Sequence, residues 1–277
     1  MASSPTDRLS AQSLTLGYGG EVVVDGLSLT IPDDQFTVII GPNACGKSTL
    51  LKALARVLAA RSGNVVLDGK VIGDYSPREV AMVLGLLPQS STPPEDIRVA
   101  ELVTRGRFPH QGFLRGWSAQ DERIVAQALA ATRTTDLSGH RVDQLSGGQR
   151  QRVWVAMVLA QQTPLILLDE PTTFLDIAHQ VELLELCRSL NREQGRTVVA
   201  VLHDLNLACR YADYIVAMRD GRIVAQGRPP EVVTEAVVQE VFGLPCRIID
   251  DPESGTPLVI PRMAPASTGR GDRGSWC

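Results

Sequence analysis

The 277-residue sequence has no long apolar run. The longest stretch of uninterrupted hydrophobic residues is the eight from Val153 to Ala160, whereas a bilayer-spanning helix needs roughly 20. The opening MASSPTDRLSAQ lacks the apolar core of a secretory signal. There is no CxxC pair. The five cysteines, Cys45, Cys187, Cys209, Cys246 and Cys277, are odd in number and scattered. That offers no zinc site and suits a reducing compartment. Positive charge is not in excess either, since 27 Lys and Arg stand against 31 Asp and Glu for a net of −4. Bulk charge therefore argues against nucleic-acid binding and leaves only a local basic patch as a route. His110, His140 and His179 are scattered and mark no metal site. No internal repeat is present. The expectation is a soluble, cytosolic chain.

A hydrophobic fraction of 44% with 21% charged residues supplies enough apolar material for a sizeable core. Apolar β-branched runs alternate with amphipathic stretches, which predicts an α/β fold. Strands are expected at 21–24, 36–40, 64–67, 83–87, 165–168, 197–202, 214–218 and 222–225. Asp68-Gly69 signals a hairpin. After 36–40, the spacing of Leu50, Leu51, Leu54, Val57 and Leu58 predicts a helix with a buried stripe. Between about 89 and 145 β-branching thins and two helical patterns follow, with Ser118 and Asp121 marking a helix start. This stretch reads as an α-helical subdomain inserted in the core. Past Gly221 comes an appendage at about 222–261: a strand, the helix PPEVVTEAVVQEVFG and a hairpin RIIDDPESGTPLVIP. The tail 262–277 is rich in Gly, Ser, Arg and Pro and is expected to be disordered.

Gly41-Pro42-Asn43-Ala44-Cys45-Gly46-Lys47-Ser48-Thr49 satisfies GxxxxGK[ST] between an expected strand and an expected helix. Such a loop turns successive backbone N–H groups inward toward phosphate oxygens, and the helix N-terminus adds partial positive charge. Lys47 suits the β- and γ-phosphates, and Ser48 suits Mg²⁺. This defines a P-loop nucleotide site. The apolar strand LILL ends in Asp169 and Glu170, placing a Mg²⁺-holding aspartate beside a carboxylate able to take a proton from water. In LSGGQ, Ser146 reads as an N-cap with Gly147, Gly148 and Gln149 opening the helix that follows, a second anion-binding helix start.

SGGQ, beginning at Ser146, lies 23 residues before Asp169, and LSGGQ together with the P-loop resembles the signature of ABC-type ATPases. The resemblance spans about residues 9–227. It implies an ABC-type P-loop core with an N-terminal antiparallel β portion and the helical insertion, so that 1–261 forms one domain. It also implies an adenine-stacking role for Tyr18. Gln89 becomes the glutamine that contacts Mg²⁺ and the attacking water, and Asp176 belongs to the D-loop. His203 becomes the switch histidine at the γ-phosphate, with Glu170 as general base. ATP and Mg²⁺ are the implied cofactors. The partners implied are a second copy of this chain packed head to tail, integral membrane permease subunits and, indirectly, a substrate-binding protein, with no nucleic acid. The subunit would then lie peripherally on the cytoplasmic face of the cell membrane, its permease docking near Gln89 in the groove beside the helical segment. One departure from relatives is Ala44, where glycine is common. If that position needs φ > 0, alanine costs about 1 kcal/mol.

TRGRFPH, PTTFLDI and HDLNLA resemble segments of iron(III)–siderophore importers, with haem and cobalamin importers as near alternatives. By its chemistry alone RGRFPH reads as a solvated, partner-facing loop. Two other classes stand as rivals. One is a non-transport ABC ATPase, which commonly carries zinc cysteines, a coiled-coil insertion or tandem units. The other is a small-molecule P-loop kinase, which would lack LSGGQ and the histidine switch.

Overall fold

The structure, a computed structural model, describes residues 8–89, 93–112 and 116–262. The expected tail beyond Arg262 lies outside the described residues. Two strands open the chain, β1 (Leu9–Tyr18) and β2 (Glu21–Ile31). The P-loop joins β3 (Phe36–Ile40) to α1 (Lys47–Leu54). Next come β4 (Ser62–Leu67), β5 (Lys70–Val71), α2 (Pro77–Val83) and β6 (Leu84–Leu87). The helical portion holds α3 (Val99–Thr104), a 3-10 helix (Arg105–His110), α4 (Ala119–Ala131) and α5 (Gly147–Ala160). The core resumes with β7 (Leu165–Asp169), α6 (Ile177–Gln194), β8 (Thr197–Val201), α7 (Leu205–Tyr211), β9 (Tyr214–Arg219) and β10 (Arg222–Gly227). The appendage adds α8 (Pro229–Val232), α9 (Glu235–Phe242), β11 (Cys246–Asp250) and β12 (Pro257–Pro261).

The main sheet has six strands in the order β10-β9-β3-β8-β7-β6, parallel except for β10. Every residue of β3, β7 and β8 is buried, which is why these strands read as unbroken apolar runs. Alternate residues serve two cores. Val38, Ile166 and Ala200 face the helices, while Ile39, Leu167 and Val201 face α1 and the smaller sheet. That second sheet is antiparallel, in the order β2-β1-β4-β5.

Several expectations need correction. The strand β1 was not anticipated, because Ser13 takes a left-handed φ of 47° and the β1–β2 register shifts between Ala11 and Leu14. The buried phase therefore slips within the strand. The helix after the P-loop stops at Leu54, since Arg56 adopts φ 60°, and Val57 is 65% exposed rather than part of a stripe. Val83 ends α2 instead of opening β6. The single helix expected after Pro229 is two, because Thr234 caps a second one through its bond from Val237 N–H. Nor is RGRFPH a solvated loop. It is a 3-10 helix in which Arg107 is buried, bonded to Asp121 at 2.9 Å and to the carbonyl of Ala160 at 2.8 Å, while Phe108 points outward. The Ser118 helix start is present, with Asp121 completing a reciprocal cap. The 68–69 hairpin and the 246–261 hairpin are also present.

Candidate functional site

Four neighbouring parallel strands end on the same edge of the main sheet. There, β3 leads into the P-loop, β8 is followed by His203, β7 delivers Asp169 and Glu170, and β6 is followed by Gln89. The carboxyl edge of such a sheet is where ligands of open α/β folds gather. A cavity of about 510 Å³ lies there. It is lined by Asn43, Ala44, Gly46, Lys47, Ser48, Thr49, Gln89, Glu170 and His203 among the expected residues. Two further lining residues, Glu21 and Val23, were missed. They sit on an exposed hairpin strand, and their only sequence signal is their nearness to Tyr18.

The loop is shaped by close packing. A Cβ on Gly41 would fall 2.3 Å from the carbonyl oxygen of Met218, so only glycine lets β3 turn there. Gly41, Pro42 and Cys45 are not among the residues that line the cavity, and Cys45 is buried. Ala44 takes φ 62°, the left-handed conformation anticipated as a cost. Gly46, at φ 103°, starts α1. Among the described helices of eight or more residues, α1 is the one with no side-chain N-cap bond, leaving its first-turn amides to an anion. The Lys47 ammonium donates to the carbonyls of Gly41 at 2.9 Å and Pro42 at 2.7 Å, spanning the loop a phosphate chain would enter.

Ser48 donates from Oγ to Asp169 Oδ1 at 2.7 Å. The other carboxylate oxygen, Oδ2, is buried without a hydrogen-bond partner. Burial pushes the Asp169 carboxyl above its ordinary range, with the Ser48 bond pulling the other way and Glu170 nearby pushing up. A desolvated carboxylate with a spare oxygen beside a hydroxyl is an all-oxygen donor set, which fits a hard cation such as Mg²⁺. Glu170 adopts a left-handed φ of 52°, which turns its carboxylate off the strand axis. His203 Nε2 lies 2.8 Å from Glu170 Oε1, and Thr173 donates to Oε2 at 3.4 Å.

The remaining expected residues lie outside the cavity. Tyr18 is half exposed where β1 turns into β2. That turn is held by Arg61, whose guanidinium donates to the carbonyls of Gly19 at 2.8 Å and Glu21 at 2.7 Å. Ser146 caps α5 reciprocally with Gln149. A Cβ on Gly147 would lie 3.2 Å from that of Phe174, and one on Gly148 would lie 3.3 Å from the Phe174 carbonyl oxygen. The turn that carries Phe174 thus lies close over the glycines, with Phe174 74% exposed. Asp176 caps α6, accepting from His179 N–H at 2.9 Å, and also accepts from His179 Nδ1 at 2.7 Å. The backbone bond first, then the ring bond, holds its carboxyl below the ordinary range.

This site belongs to a known class. The ABC transporter family model matches residues 24–173, more than half of the chain, and the chain belongs to that family. It is accordingly an ABC-type ATPase. The chain is 56% identical to the ferric enterobactin transport ATP-binding protein FepC of Escherichia coli (strain K12), over 94% of this chain and 97% of that one. It is 53% identical to the probable siderophore transport system ATP-binding protein YusV of Bacillus subtilis (strain 168), over 91% and 92%. Among solved structures, it resembles an inward-facing putative metal-chelate type ABC transporter at TM-score 0.77 and 28% identity, covering 92% and 97% of the two chains. The dimeric post-hydrolysis state of the cassette MJ0796 with ADP and Pi matches at TM-score 0.72 and 29% identity, covering 79% and 98%.

Proposed function

We propose that this chain hydrolyses ATP to power import of an iron(III)–siderophore complex through separate membrane permease subunits. Two copies would act together, peripherally, on the cytoplasmic face of the membrane. The observation that carries the cargo is the near full-length identity to the ferric enterobactin subunit. RGRFPH supports a permease contact in one respect, since it presents Phe108 outward from a 3-10 helix clamped by Arg107. Among the described residues no helix is long and apolar enough to cross a membrane, in keeping with a permease on separate chains.

The chemistry follows from the crest of the sheet. The free amides of α1 take the phosphates, and Lys47 exchanges its two loop carbonyls for phosphate oxygens. Tyr18 offers its exposed ring to adenine. Ser48, Asp169 and Gln89 would hold Mg²⁺, which neutralises charge on the transferring group. Glu170 is the base that takes the proton of the attacking water, and His203 keeps the carboxylate aimed at the γ-phosphate position. Ser146, Gly147, Gly148 and Gln149 lie outside this chain's own cavity. They serve the ATP held by the other copy, with Asp176 in the same interface.

The test is uptake in iron-starved cells whose only copy carries Glu170→Gln. That variant is expected to bind ATP, trap the dimer and lose turnover by at least about 100-fold. Loss of labelled ferric siderophore uptake, with labelled cobalamin and haem uptake intact, is the expected outcome. Loss confined to cobalamin or haem would keep the engine and overturn the cargo. Normal turnover by the purified variant would remove Glu170 from its role.

A further inference from the structure

The appendage is fastened to the helix that begins two residues after His203. Helix α7 has only seven residues, too few to hold its own shape or direction. Its first turn is closed by Asp204, which accepts from Asn206 N–H at 2.8 Å and Leu207 N–H at 2.9 Å. Beyond its own backbone bonds, what fixes it is tertiary. Ala208, Cys209 and Tyr211 are buried against the main core, and the Tyr211 hydroxyl donates to Glu185 on α6 at 2.9 Å.

The other face carries Asn206 and Arg210, one turn apart and so side by side. The Asn206 side-chain amide accepts from Val259 N–H at 2.7 Å and donates to the Val259 carbonyl at 3.4 Å. It meets β12 much as a neighbouring strand would. Arg210 donates from Nε and Nη2 to Asp251 Oδ2 at 3.2 and 2.6 Å. Asp251 is itself buried, and its other oxygen accepts from Glu253 N–H at 2.9 Å. The hairpin is a separate two-stranded sheet, a unit that is marginal by itself. Cys246 and Val259 pack into the main core, and the polar clamps are what fix it to α7.

We propose that the β11–β12 hairpin is a positioning element for His203, acting through the clamps Asn206–Val259 and Arg210–Asp251. Three residues separate the end of β8 from α7, so His203 is suspended between a rigid strand and a short helix. A rotation of α7 would move His203, whose imidazole Nε2 lies 2.8 Å from Glu170 Oε1. Among the described residues no hydrogen bond joins α7 to the phosphate loop, whose Lys47 bonds Gly41 and Pro42, or to Asp169, which is held by Ser48. Releasing the clamp therefore degrades the chemical step and spares ATP binding. This inference rests on the reading of Glu170 and His203 given above.

The experiment is steady-state ATP turnover by the purified full-length protein. Wild type is compared with Asn206→Leu, Arg210→Met, Arg210→Lys, His203→Ala and the pair His203→Ala/Arg210→Met. Expected are a kcat about tenfold lower in Asn206→Leu and Arg210→Met, with KM for ATP within about twofold of wild type. Arg210→Lys, which keeps a charged donor, should recover most of the loss. On the His203→Ala background, Arg210→Met should add nothing. Wild-type kcat in both clamp variants would overturn the proposal while leaving the ATPase and switch readings intact, as would an undiminished further loss in the double variant. Wild-type turnover in His203→Ala would overturn the histidine's role and the proposal with it. Should Arg210→Met fail to fold, Asn206→Leu carries the same comparison.

Discussion

Ala44 sits at φ 62° in the middle of the phosphate loop, a conformation an L side chain adopts at a cost of about 1 kcal/mol. Ala44→Gly is expected to raise unfolding free energy by about 0.5–1 kcal/mol, read as a higher urea midpoint at unchanged slope. A lower midpoint would show that the loop is not strained there. The fixed residues of the loop were legible because each has a local reason. Gly41 and Gly46 permit the turn, Lys47 carries the charge, and Ser48 opens the helix. Glu170 was legible as chemistry and not as geometry. Its left-handed backbone, φ 52°, is not encoded by its residue type. Arg107 was misread for a related reason. A guanidinium in a Gly- and Pro-containing segment looks solvated, and it is partners far along the chain, the carboxylate of Asp121 and the carbonyl of Ala160, that make its burial tolerable.

Elements were legible where periodicity ran unbroken and lost where one residue broke it. The parallel strands β3, β7 and β8, buried on both faces, were expected almost to the residue. β1 was missed because the bulge at Ser13 shifts its inward set from Leu9 and Ala11 to Leu14 and Leu16. Arg56 ends α1 with a left-handed turn, donating to the Gly73 carbonyl at 3.2 Å, whereas the apolar spacing runs on past it. The appendage carries a prediction at this scale. Arg210 first, then the Glu253 amide, lowers the Asp251 carboxyl from 3.8 to about 2. A carboxyl whose pKa falls on folding adds stability wherever it is ionised in both states, and that stability is lost as pH falls through the folded value. The melting midpoint of wild type should therefore exceed that of Asp251→Asn by a constant amount from pH 7 down to about 4. The gap should then close toward pH 2. A gap that widened on acidification would contradict the pairing.

At the scale of the molecule, the signature and the phosphate loop of one chain do not share a cavity, and two apolar side chains stand out beside the signature. Phe174 is 74% exposed and Ile177 is 80% exposed, more than a solvated helix start calls for. In the proposed head-to-tail dimer they would fall at the junction. Phe174→Ala, made in the Glu170→Gln background, is expected to weaken ATP-dependent dimerisation about tenfold or more, measured by sedimentation. An unchanged dimer would move the junction elsewhere.

The strand order has a consequence for how the site comes into being. β3 and β7 are not neighbours. β8, residues 197–201, lies between them. The bond from Ser48 to Asp169 spans 121 positions, and its two ends have no set separation until that later strand is threaded into the gap. Closing such distant pairings is slow, because chain entropy is lost before contacts compensate. A chain emerging from the ribosome would carry an intact phosphate-loop sequence long before it could hold ATP. Nucleotide binding would then report that the last central strand is home, and ATP would act late in folding, as a ligand that locks a finished sheet.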